Sequence, residues 1–296
     1  MRRIISVLSF TFLSVFIHLV QAAPLPVVAS FSILGDVTKQ IGGDRIQVST
    51  LIGADQDTHM YQLLSKDLRQ MRSAKLILLN GYGLESLSLQ RAAEQSHVPV
   101  IYAVQGIQPQ VLNDGNHKHD HQHKYDPHVW NDPVLMHTYA RNIANALIKI
   151  DPAGKAYYQS RLANYEQRLN QLHQWAAKAF AAIPASKRKV LTGHDAFGYM
   201  AKRYQITFIA PQGVSADAEP SARQVASIIN QIRNQNIKAV FVENIKNPKM
   251  IQRISKETGI KISGQLYSDA LSKGAPAATY LDMFRSNVSA LSAAMK

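Results

Sequence analysis

Eleven histidines stand in a chain of 296 residues that contains no cysteine. Imidazole nitrogen and carboxylate oxygen are therefore the strong metal donors on offer. Thiolate zinc fingers, iron–sulfur clusters, disulfide frameworks, cysteine nucleophiles and lipid anchoring through a cysteine are excluded. Three donors share a position: His59 follows the strand-like run Arg45–Ile52 after a turn carrying Asp55 and Asp57, His194 follows a strand ending at Leu191-Thr192, and Asp269 follows a strand ending at Leu266. Each would lie just beyond the carboxyl end of a parallel strand, where α/β sheets bind ligands. His128, in Asp126-Pro127-His128-Val129-Trp130, adds a second imidazole to the first half of the chain. Three neutral imidazoles and one carboxylate suit tetrahedral Zn²⁺, although position by itself only suggests the grouping.

The other histidines divide into two kinds. His117, His119, His121 and His123 alternate with Lys, Asp and Gln in the polar segment Asn113 to Asp126. A spacing of two aligns them on no helical face, so they read either as a loose gatherer of zinc, copper or nickel or as a polar insert without a role. His97, His137 and His173 stand alone in or beside helical segments and read as structural; His18 belongs to the amino-terminal apolar run.

The elements that must position these donors follow from hydrophobic period. Val27–Phe31, Arg45–Ile52, Lys75–Asn80 and Pro99–Tyr102 read as strands, alternating with helices over Ile33–Ile41, Tyr61–Ser73 and Leu84–Glu94. In the second of these helices Leu63, Leu64, Leu68 and Met71 are expected to form the buried face. Pro133 to Ala182 is helical, broken at Asp151-Pro152-Ala153-Gly154, with Pro152 suited to the first turn of a second, long helix. Strands at Val190-Leu191, Ile206–Ile209, Lys238–Val242 and Lys261–Leu266 then alternate with helices near Phe197–Tyr204, Ser221–Asn234, Pro248–Thr258 and from about Ala277. The expected fold is α/β, with two lobes that each hold a mostly parallel sheet flanked by helices. A long rigid helix joins them and a metal site lies in the cleft between. The expected divisions are residues 1–22 (signal peptide), 23–150 (first lobe, with a His-rich loop at 113–126), 151–184 (linking helix) and 185–296 (second lobe).

Met1-Arg2-Arg3, an apolar run from Ile4 to Val20 and Gln21-Ala22-Ala23-Pro24 have the form of a secretory signal peptide, with cleavage expected after Ala22. An uncleaved anchor is the alternative, at the short limit of about 17 apolar residues for a span. Basic side chains number 33 against 20 acidic. They are scattered, with no basic run longer than Lys187-Arg188-Lys189 and no aromatic-interleaved basic motif, so a nucleic-acid partner is not expected.

A resemblance covers nearly the whole chain beyond that segment. It is carried by Gly53-Ala54-Asp55-Gln56-Asp57-Thr58-His59-Met60-Tyr61-Gln62, Asn80-Gly81-Tyr82-Gly83-Leu84-Glu85, the His-rich loop with Asp126-Pro127-His128-Val129-Trp130, and Gly193-His194-Asp195-Ala196-Phe197-Gly198-Tyr199. Gly213-Val214-Ser215, Glu219-Pro220-Ser221, Phe241-Val242-Glu243, Leu266-Tyr267-Ser268-Asp269-Ala270-Leu271 and Ala278-Thr279-Tyr280-Leu281-Asp282-Met283-Phe284 continue it. The chain resembles the periplasmic zinc- and manganese-binding proteins of ABC transporters, specifically the zinc-uptake branch.

That resemblance implies a monomeric carrier with no catalysis, which captures Zn²⁺ in the periplasm and delivers it to a membrane permease. It implies His59, His128, His194 and Asp269 as ligands. Manganese members commonly have a carboxylate where His194 stands, and an imidazole there favours zinc. A manganese or iron carrier of the same fold is the alternative. A secreted zinc hydrolase is disfavoured, because Asp269 would fill the position that catalysis leaves to water. Thr58 departs from the family's usual proline before the first histidine and puts the stiffness of that turn in question. Glu243 is either a cleft-facing carboxylate near the metal or a helix-entry cap. Asn80 is expected to tie down the loop around the site, and Trp130 and Phe197 to keep it dry.

Overall fold

A computed structural model describes residues 23–111, 124–213 and 221–296. The apolar amino-terminal segment, His117, His119, His121 and His123, and Val214 to Pro220 lie outside the described residues. The first lobe runs β1 (Leu25–Phe31), α1 (Ser32–Gly42), β2 (Ile46–Ile52), α2 (Ser65–Ser73), β3 (Leu76–Leu79), α3 (Leu87–Glu94) and β4 (Val100–Tyr102). Then come α4 (Leu135–Ile150) and α5 (Lys155–Ala181), the latter 27 residues long and linking the lobes. The second lobe contains β5 (Lys189–Leu191), α6 (Gly198–Tyr204), β6 (Thr207–Ile209), α7 (Ala222–Gln235), β7 (Ala239–Glu243), α8 (Lys249–Thr258), β8 (Gly264–Leu266) and α9 (Tyr280–Ala294).

Each sheet is parallel and four-stranded, ordered β2-β1-β3-β4 in one lobe and β6-β5-β7-β8 in the other. Parallel sheets need both faces covered. The near-continuous apolar runs of β3 (Leu-Ile-Leu-Leu, all buried) and the carboxyl half of β1 meet that need. In both sheets the chain order reverses beside the first strand, which opens a crevice past its carboxyl end.

The expected elements are all present, but several are shorter than hydrophobic period suggested, because polar side chains cap them. The helix expected from Tyr61 begins at Ser65. Asp67 is buried and accepts from the Leu64 N–H at 2.8 Å and the Tyr61 hydroxyl at 2.8 Å, which holds residues 61–64 out of the helix. Leu64, expected on the buried face, is consequently 46% exposed. Ser86 and Thr279 act similarly, accepting from the N–H of Leu89 (3.4 Å) and Asp282 (3.2 Å), so α3 and α9 start later than expected. Pro152 occupies the first position of the turn leading into α5. Beside it the Asp151 carboxylate accepts from Arg45 (2.7 Å) and the Tyr158 hydroxyl (2.7 Å).

One hydrophobic core runs through both lobes. Phe31, Trp130, Phe180, Phe197, Tyr280 and Phe284 are all buried in it, while a second cluster (Val225, Ile228, Ile232, Ile251 and Ile254) seals the outer helices α7 and α8 onto the second sheet. Helix α9, last in the chain, packs on α5 and α1. Truncating a buried Phe or Trp costs about 3–5 kcal/mol, whereas an exposed pair such as Arg253–Glu257 contributes about 1 kcal/mol at most. The shared apolar core joins the lobes, and the Arg203–Asp132 and Lys246–Asp57 pairs cross between them as well.

Candidate metal centre

His59, His128, His194 and Asp269 converge between the lobes, their donor atoms all within 4.8 Å of one another. The Nε2 atoms of His59 and His128 are 3.3 Å apart. Asp269 places Oδ2 3.1 Å from His194 Nε2 and 3.4 Å from His59 Nε2, and Oδ1 3.4 Å from His128 Nε2. All four side chains are removed from solvent.

Each donor owes its place to a different device. His59 sits in the loop between β2 and α2. That turn lacks a stiffening proline before the histidine, and its Thr58 hydroxyl is buried without a hydrogen-bond partner. Side chains stabilise it instead: Gln56 Oε1 accepts from the Gly53 N–H at 2.6 Å, and Asp57 Oδ1 accepts from the His59 N–H at 3.0 Å. Asp55 takes a left-handed conformation (φ 57°), which Asp tolerates better than most residues.

His128 opens a single helical turn, Val129–Asn131. Asp126 Oδ1 accepts from its main-chain N–H (2.9 Å) and lies 2.7 Å from its Nδ1. A carboxylate on Nδ1 keeps the proton there and turns the Nε2 lone pair into the site. Asn80 donates to the Pro127 carbonyl (3.1 Å) and accepts from the Tyr139 hydroxyl (3.1 Å), tying the His128 turn to the end of β3. Beneath it the buried Glu85 carboxylate accepts from the Ser30 hydroxyl and the main-chain N–H of Asn80 and Gly81 (2.6, 2.6 and 3.1 Å).

His194 lies past β5. Glu243, the last residue of β7, accepts from the main-chain N–H of Gly193 and His194 at 2.7 and 3.0 Å, and its Oε2 is 2.6 Å from His194 Nδ1. The Glu243 carboxylate thus lies against His194, whereas α8 begins only at Lys249. A side chain at Gly193 would bring its Cβ within 2.9 Å of that carboxylate, so only glycine allows the approach.

The electrostatics favour charge separation. Burial works against an ionised Asp269, yet the neighbouring His194 and His128 outweigh it and hold the carboxyl well below its usual range. Burial likewise opposes charge on His194, but Glu243 and Asp269 prevail and raise it to about 10. Glu243 is lowered, the pull of His194 exceeding the cost of burial. His59 is lowered by burial, which favours its neutral, metal-binding form. Trp130 packs edge-on to His128 with ring centres 5.3 Å apart and donates to the Ser268 carbonyl of the other lobe (2.6 Å). Phe197 is buried and stacks on Phe208 at 5.0 Å.

His137 and His173 stand elsewhere, His173 against the Tyr204 hydroxyl at 3.1 Å and His137 3.7 Å from Glu166. The orienting role of Asp126 was missed by the sequence reading. Its signal was present as a carboxylate two residues before a histidine across a proline, a spacing that folds back on the same side chain.

The chain is 30% identical over 272 residues to the manganese ABC transporter substrate-binding lipoprotein PsaA of Streptococcus pneumoniae, covering 89% of this chain and 86% of that one. It is 29% identical over 266 residues to the manganese-binding lipoprotein MntA of Halalkalibacterium halodurans (89% and 86%). Among solved structures it is similar to the periplasmic zinc binding protein TroA from Treponema pallidum, with a TM-score of 0.85 and 26% identity over 92% of this chain and 99% of that one. It is also similar to the manganese-bound periplasmic metal binding protein of Candidatus Liberibacter asiaticus (TM-score 0.81, 27% identity, 91% and 99%). The family profile described as zinc-uptake complex component A, periplasmic, matches residues 27–294. The chain therefore belongs to that family and is a metal-binding, substrate-carrying component of an ABC transporter, not an enzyme.

Proposed function

We propose that the protein captures Zn²⁺ outside the cytoplasm, holds it on His59, His128, His194 and Asp269, and releases it to the transporter's membrane permease. The observation that carries zinc is the make-up of the donor set, three imidazoles and one carboxylate whose donor atoms lie within 4.8 Å of one another. Three imidazoles suit a borderline ion better than a hard one. Metal enters as cargo: Asp269 supplies the charge, and Asp126 and Glu243 aim two of the imidazoles.

Manganese is the second reading, favoured by the names of the Streptococcus and Halalkalibacterium relatives. The solved relatives include a zinc and a manganese binder. Mn²⁺ prefers oxygen donors and a larger shell, which one carboxylate among three imidazoles meets poorly. The remaining parts of the proposal are export to the periplasm by a cleavable signal peptide ending at Ala22, action as a monomer, and loose capture of additional metal by His117, His119, His121 and His123. The relatives named as lipoproteins differ from this chain, which has no cysteine.

Metal analysis of protein purified without a His tag, followed by competition between Zn²⁺ and Mn²⁺, tests the proposal. One tightly held equivalent, with zinc displacing manganese, is expected. Displacement of zinc by equimolar manganese would overturn the zinc assignment.

A further inference from the structure

His128 and His194 are each aimed by a carboxylate of their own lobe against Nδ1. His59 is placed through its main chain, whose N–H donates to Asp57, and the other oxygen of that carboxylate is held from across the cleft. Lys246, in the loop after β7, lies with Nζ 2.6 Å from Asp57 Oδ2, the two side chains only 9% and 17% exposed. The neighbouring Asn244 donates to Asp55 Oδ1 at 3.1 Å. The Lys273 N–H donates to Asp55 Oδ2 at 3.2 Å, and the Asp55 N–H donates to the Leu271 carbonyl at 2.8 Å. The loop that carries His59 is thus fastened to two loops of the second lobe, one of which carries Asp269.

We infer that Lys246 is a positioning residue that acts through Asp57 to hold His59 on the metal, so that breaking the Lys246–Asp57 pair is a step in metal release. This rests on the reading of His59 as a ligand. The continuous core leaves little room for the lobes to swing as rigid bodies, whereas the β2–α2 loop is joined to the second lobe mainly by polar contacts that can be exchanged for water or for charges on a partner. A pair this sheltered is screened less than an exposed one, and an outer group that orients a ligand commonly contributes 10–100-fold to metal affinity.

The test measures zinc dissociation into a chelating dye by stopped flow for the full protein, Lys246→Met, Asp57→Asn and the double variant. Asp57→Asn keeps a side-chain oxygen to accept from His59 and replaces the oxygen that faces Lys246 with an amide NH₂, removing both the charge and the acceptor of the pair. Release is expected to be about 10-fold faster in each single variant, with the double variant no faster than the faster single one. Stoichiometry should stay at one zinc, and the melting temperature should fall further in the zinc-bound form than in the metal-free form. Unaltered release from Lys246→Met would overturn the inference, as would independent, multiplying effects in the double variant. A drop in metal-free melting temperature equal to that of the zinc-bound form would also overturn it, since Lys246 would then merely brace the fold. Failure of the underlying reading looks different: the unmutated protein would show no tight zinc binding, or His59→Ala would bind zinc as tightly as the unmutated protein, whatever Lys246 does.

Discussion

Glu243 Oε2 lies 2.6 Å from His194 Nδ1, while Oε1 of the same carboxylate accepts from the main-chain N–H of Gly193 and His194. One side chain at the end of β7 thereby sets both the backbone and the ring of a residue that follows β5. The sheet makes this possible, because β5 and β7 are adjacent and parallel.

Glu243→Gln is expected to weaken zinc binding by about 10–100-fold, the usual effect of removing an outer partner of a metal-bound imidazole. Asp126→Asn should behave alike toward His128, whereas Asp269→Ala removes the anionic donor itself and should cost more than either. Competition against a chelator of known affinity ranks the three, and a Glu243→Gln variant that bound like the unmutated protein would remove Glu243 from the account.

Deletion of Asn116 to Lys124 is expected to leave one tight zinc equivalent and to abolish weaker additional ones. The four proposed ligands all lie outside the deleted stretch. Titration calorimetry on the deletion variant checks this, and loss of the tight equivalent would transfer the site to the His-rich loop.

The gain in melting temperature on adding zinc should grow as pH rises from about 5 to about 10. In the metal-free protein His194 is raised from about 6.5 in an unfolded chain to about 10. Its contribution to stability is thus complete below about pH 6.5 and is lost as pH climbs through about 10. The zinc-bound form changes in the opposite sense, because acid protonates the imidazoles that zinc requires. Zinc binding near neutral pH should also release a proton from His194. A zinc-induced shift equal at pH 5 and pH 8 would contradict a histidine-dominated site.

His194→Glu should lower the affinity for zinc and raise that for manganese relative to it. The change exchanges a borderline donor for a hard one that can bind through both oxygens. Zinc is still expected to bind the variant more tightly in absolute terms, following the intrinsic order of the divalent metals. Parallel titrations with both metals give the ratio, and an unchanged ratio would mean that His194 does not touch the ion.

The sequence by itself determined the alternation of strand and helix, the absence of thiolate chemistry, and the position of three donors at strand ends. Each of these depends on local period or on composition. Where polar side chains competed with apolar period the local reading failed, as at Leu64, because the inward turn of Asp67 is a tertiary event that no helical spacing announces. The role of Glu243 was also beyond it, since cap and cleft carboxylate read identically until the pairing of β5 with β7 is known. Asp57 and Lys246, 189 residues apart, became partners only when α5 and α9 brought the two lobes face to face. Their contact follows from the packing of a shared core, and neither residue carries a local mark of the other.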